Sequence, residues 1–154
     1  MSLKHSFVTA FVSAFVFVTT ASAQIRVGEP FKLGVGQSVP IVDAGFSVGF
    51  DHVTSDSRCP SNVECIWEGN AAARTWAETS RADRTFFDLN TNPQFRGEAS
   101  FIGFMVRLLN VAPHPFDGVN IDPKDYVVTM VVVRDRVTTP VEEKTWGAIK
   151  ALFD

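Results

Sequence analysis

Cys59 and Cys65 are the only two thiols in the 154 residues, so the first chemical question is what a Cys-x5-Cys pair can do. In an oxidising compartment, two cysteines make one disulfide. Closing so short a loop removes chain entropy from the unfolded state, with a stabilising contribution of roughly 2–2.5 kcal/mol. Held reduced, the thiolates would be metal ligands, with His52 or His114 completing the set. Thiolate metal sites usually space their cysteines as C-x2-C and draw on a second pair elsewhere, and this chain has no second pair. A redox-active pair would need the C-x-x-C spacing at a helix N-terminus that depresses a thiol pKa. A structural staple is therefore the expectation, with no metal ligand and no cofactor assigned.

The residues around the thiols read as turn chemistry rather than catalysis. Asp56 and Arg58 flank the loop closely enough for a charge-assisted pair, and Asp56-Ser57 can form an Asx turn that sets the approach to Cys59. A nucleophilic Ser57 would need a base and an orienting acid. His52 is near in sequence, but strand alternation gives it no reason to face that hydroxyl. The chain contains neither G-x-S-x-G nor H-E-x-x-H. A carboxylate pair of the glycosidase kind stays open, because its spacing belongs to the fold. No catalytic residue is assigned and the balance leans away from an enzyme. The loop tip, Ser61, Asn62 and Val63, is the candidate binding surface together with Asp56, Arg58, Trp67 and His114. His114 stands in Pro113-His114-Pro115, where each proline stiffens the backbone.

The redox argument depends on export, and the N-terminus bears on it. Lys4 and His5 form a basic n-region, Phe7 to Thr19 is uncharged and apolar, and Ala21-Ser22-Ala23 is a small-residue cleavage site. The apolar run is shorter than the ~20 residues a membrane-spanning helix needs. Residues 1–23 are expected to be a removed signal peptide, with no stable membrane anchor afterwards and a secreted or periplasmic location. The formal net charge of −3 becomes one unit more negative when Lys4 leaves. An acidic chain without a basic cluster argues against nucleic acid as a partner.

The elements that must position these residues have all-β punctuation. Phe31–Leu33 and Gln37–Val42 are short extended stretches broken by glycines. Phe46, Val48 and Phe50 alternate with Ser47, Gly49 and Asp51, the period of a half-buried strand, and His52 falls on the apolar parity at its rim. Ile66 to Thr75 reads as the next strand, with Trp67 on the same face as Gly69, Ala71 and Ala73 and expected to pack over the disulfide. The segment 78–84 reads as a connection and Thr85–Leu89 as a strand. Ser100–Val111 reads as one strand apolar on both faces. Tyr126–Val133 is β-branched and nearly continuous, which suits a central strand. Thr139, Pro140 and Glu142 make a capping pattern, after which Trp146, Ile149 and Phe153 recur on one helical face.

The runs Asp56-Ser57-Arg58-Cys59-Pro60 and Cys65-Ile66-Trp67-Glu68-Gly69 resemble the DSRCP…CxWxG signature of an uncharacterised family of small secreted bacterial proteins. Leu109–Pro115 and Asp125-Tyr126 resemble that family's downstream pattern, so the likeness extends to about Val133. It implies an exported, folded domain and carries no activity with it.

The expected architecture is a single-domain antiparallel β-sandwich, immunoglobulin-like, of about seven strands over residues 24–136. A C-terminal amphipathic helix or tail follows at 137–154. The expected function is non-enzymatic binding of a protein partner at the cell envelope, by a rigid loop of the kind inhibitors present. Two alternatives stand beside it: a small β-barrel carrier of an apolar ligand, and a metal-binding or hydrolytic site around His52 and His114.

Overall fold

The computed structural model describes residues 24–81 and 84–135. The expected signal peptide and the C-terminal helix or tail lie outside the described residues. Among the described residues eight strands are formed: β1 Phe31–Gly34, β2 Ser38–Ile41, β3 Phe46–Asp56, β4 Ala71–Thr79, β5 Thr85–Asn90, β6 Glu98–Phe101, β7 Phe104–Ala112 and β8 Val127–Arg134. They make two antiparallel sheets of four, ordered β1-β8-β7-β6 and β2-β3-β4-β5. The sandwich architecture is the expected one. Its strands follow an up-and-down order in which consecutive strands are neighbours within each sheet and β8 returns beside β1. The two sheets remain separate and do not close into a barrel.

Alternation puts the core where the apolar parity lies. Phe46, Val48 and Phe50 face inward from β3, Leu89 from β5, Val106 and Val111 from β7, and Val128, Met130 and Val132 from β8. Rings from opposite sheets meet edge to face, with Phe46 and Phe101 centroids 5.1 Å apart, a geometry the aromatic quadrupole favours. Side chains fill the space between the sheets.

The strand count exceeds seven because Ser100–Val111 is a hairpin and not one strand. Ile102 and Gly103 take φ of 42° and 83°, the two positive values a primed two-residue hairpin turn needs. The apolar alternation runs straight through that turn, and isoleucine gives no turn signal. Past Phe50 a second departure appears. A register shift between Phe50 and His52 moves His52 off the core parity, leaving it exposed with Nδ1 3.3 Å from the Asp51 carboxylate.

A third correction concerns the strand after the cysteines. β4 begins at Ala71 and not at Ile66, and it runs on through Glu78 to Thr79, paired with Ser47 and Phe46. Gly69 explains the late start. It sits at φ +71° with the Ser57 carbonyl oxygen 1.9 Å from where a Cβ would be. Only glycine fits both that conformation and that approach, and the chain turns there instead of extending.

Candidate functional site

The cysteine loop stands at one end of the sandwich, where β3 ends and β4 begins. Cys59 and Cys65 are disulfide-bonded, with Cα atoms 5.9 Å apart. The staple expectation holds, and a disulfide fits an oxidising compartment. No described helix is long and apolar enough to cross a membrane.

Beneath the staple lies a buried polar cluster. Arg58 Nε donates to Asp56 Oδ1 at 2.8 Å while one of its terminal nitrogens donates to Oδ2, the bidentate fork that suits guanidinium to carboxylate. The same side chain reaches across to β7 and the loop after it. It donates to the carbonyl of Val111 and, at 2.8 Å, to that of Pro113. Tyr126 donates its hydroxyl to Asp56 Oδ2 at 3.1 Å. The Arg58 amide donates to Asp56 Oδ1, which is the expected Asx turn. Arg58 is 8% exposed, so this is a charge taken out of water and matched on nearly every side.

Burial by itself would raise the Asp56 carboxyl, but its hydrogen bonds and charge attraction to Arg58, together with the Tyr126 hydroxyl, outweigh burial and hold it below its usual range. Burial and the Asp56 charge push the Tyr126 phenol up.

Two flanking loops clamp the cysteine loop. On one side, His114 Nε2 donates to the Cys59 carbonyl at 2.9 Å, the Ser61 amide donates to Pro115, and the Asp117 amide donates to Asn62 Oδ1 at 2.7 Å. The Ala112–Pro113 peptide at the start of this loop is cis. On the other side, the Ser57 amide and hydroxyl donate to the Asn70 carbonyl, and Asn70 in turn bonds Asn90 and the Asn92 amide. Asn92 Nδ2 closes the ring onto the Gly69 carbonyl at 3.0 Å.

Of the seven candidate binding residues, Asp56, Arg58, Ser61, Asn62 and His114 are therefore engaged in holding the loops together, although Ser61, Asn62 and His114 remain exposed. Val63 is 42% exposed. Trp67 corrects its expectation: it does not pack into the interior but is 77% exposed, and its neighbour Ile66 is 95% exposed. Because Ile66 and Trp67 precede the turn at Gly69, strand parity never applied to them.

Ile66 was not among the candidates, nor was Phe95, which is 57% exposed on the loop between β5 and β6. An open groove of about 560 Å³ runs between Ile66-Trp67 and Pro93-Gln94-Phe95. The signal for it was an isoleucine and a tryptophan directly after the second cysteine in an otherwise polar stretch, a composition that a buried strand explains equally well. His52 and His114 bond different partners, Asp51 and Cys59. Among the described residues, no three His, Cys, Asp or Glu side chains gather as a metal would require. No family model matches the chain, and no curated protein or solved structure matches it.

Proposed function

We propose that this chain is a secreted or periplasmic, non-enzymatic binding protein that presents the disulfide-braced loop between β3 and β4 to a protein partner of the bacterial cell envelope. The observation that carries this reading is the exposure of Ile66 and Trp67 on a loop held by a disulfide and by hydrogen bonds from both sides. Exposed tryptophan on an ordered loop is costly to keep in water and is the side chain most enriched among binding hot spots. A loop ordered before binding loses little entropy when it docks.

The leader-like N-terminus and the Cys59–Cys65 disulfide support the compartment. The contact surface moves from the tip residues Ser61 and Asn62 to Ile66, Trp67 and Phe95.

A photo-crosslinking residue at position 95, beside the groove, tests the reading in the exporting host. The expected result is one dominant crosslinked envelope protein whose yield collapses in Trp67→Ala and survives in Ser61→Ala. Equal yield in both variants would remove the loop from the function. Intact mass tests the compartment: exported protein should begin at Gln24 and resist thiol labelling.

A further inference from the structure

The loop that projects Trp67 also carries Glu64 and Glu68, both exposed, and neither carboxylate has a hydrogen-bond or ion-pair partner among the described residues. Acids on the sheets are treated differently. Glu98 pairs with Arg107 at 2.6 Å, Glu78 with Arg84 at 2.8 Å and Asp88 with Arg74 at 3.3 Å. At the loop end of the sandwich the Arg58 charge is consumed by Asp56, and Arg96 is the exposed cation on the flanking loop. Of the unpaired loop carboxylates, Glu68 lines the groove itself.

The molecule already contains the arrangement this groove lacks. Arg84, just before β5, stacks its guanidinium over the ring of Trp76 on β4 at 3.9 Å while its Nε donates to Glu78 at 2.8 Å. A tryptophan face and a carboxylate together hold one guanidinium, the ring quadrupole and the anion attracting the same cation. In the groove, Trp67 and Glu68 line the same wall, which supplies the ring and the carboxylate without the cation.

Resting on the reading of this loop as a docking surface, we propose that the groove takes a basic polypeptide segment. An arginine or lysine of the partner stacks on Trp67 against Glu68, and an adjacent apolar side chain lies between Ile66 and Phe95. Charge complementarity at such a rim steers association and selects against acidic partners.

Random-peptide phage selection on the whole protein, with counter-selection on Trp67→Ala, tests this without knowledge of the natural partner. Synthetic versions of the enriched peptides are then titrated calorimetrically. The expected peptides carry arginine or lysine beside an apolar residue. Their affinity falls roughly 30-fold in Trp67→Ala, the loss of a hot-spot side chain, and about threefold to tenfold in Glu68→Gln, whose shape is unchanged. Raised salt weakens them further.

Trp67-dependent peptides that lack basic residues and ignore Glu68→Gln would overturn the basic-segment proposal and leave the docking surface standing. No Trp67-dependent peptides at all, from variants that melt with the parent, would overturn both.

Discussion

Trp67 and Trp76 lie on either side of the point where β4 begins, and the molecule uses them in opposite ways. Trp76 is 6% exposed although it points away from the core. It lies on the outer face of its sheet over Gly49, where a Cβ would come 2.1 Å from the ring, with Arg84 covering the other side. Trp67 has no bare backbone beneath it and stands in water on a loop. The difference teaches that tryptophan content says little about burial. What decides is whether a neighbouring strand leaves a gap that the indole can fill. Gly49 makes that gap for Trp76, and at the loop Gly69 is occupied by the Ser57 carbonyl instead.

The same contrast separates stability from the proposed binding, and variants can break it. The largest effect is expected at the buried cluster. Arg58→Ala leaves the Asp56 carboxylate buried without its cation and frees the carbonyls of Val111 and Pro113. Breaking such a pair costs about 3–5 kcal/mol, so denaturant unfolding should show loss of most of the stability margin. Trp76→Ala should follow at about 3 kcal/mol, the usual penalty for emptying a buried aromatic site, with the loop end of the molecule unchanged. Replacing Cys59 and Cys65 together by serine should cost about 2 kcal/mol through the unfolded state. It should also loosen the Trp67 loop, which hydrogen exchange at residues 59–68 would detect.

Acid should act on one region more than the other. The Asp56 carboxyl titrates lower in the folded protein than in the unfolded chain. Its contribution is therefore present above the unfolded value, about pH 4, and is lost as pH falls through the folded value. Tyr126 is shifted up, so its contribution is complete below about pH 10 and is lost as pH rises beyond the folded value. Asp56→Asn should flatten the acid limb of a stability profile while leaving the outer face around Trp76 intact. The smallest stability effect belongs to Trp67→Ala, within about 0.5 kcal/mol for a surface side chain. A melting loss as large as that of Trp76→Ala would show that the exposed ring is structural and would end the contrast.

Much of this was legible in order along the chain. Phe46, Val48 and Phe50 declare an inward face by alternation alone, and Val128, Met130 and Val132 share one in the same way. The disulfide follows from two cysteines in a chain with an export-like leader. The Asx turn and ion pair between Asp56 and Arg58 are contacts between residues two apart, so nearest-neighbour chemistry suffices to find them. The Phe50/His52 bulge and the Ile102-Gly103 turn were not legible. Each changes the phase of a strand without a turn dipeptide to mark it.

By itself, then, the sequence determined the all-β class, the staple and the local turn beneath it, because those depend on periodicity and on partners close in the chain. Tertiary structure alone decided that Arg58 reaches carbonyls more than fifty residues away, that β8 returns to pair with β1, and that one tryptophan is sheltered while the other faces solvent. Those outcomes depend on which backbone happens to lie alongside, and a gap left by a distant glycine or an acceptor offered by a distant loop has no signature in the residues that come to use it.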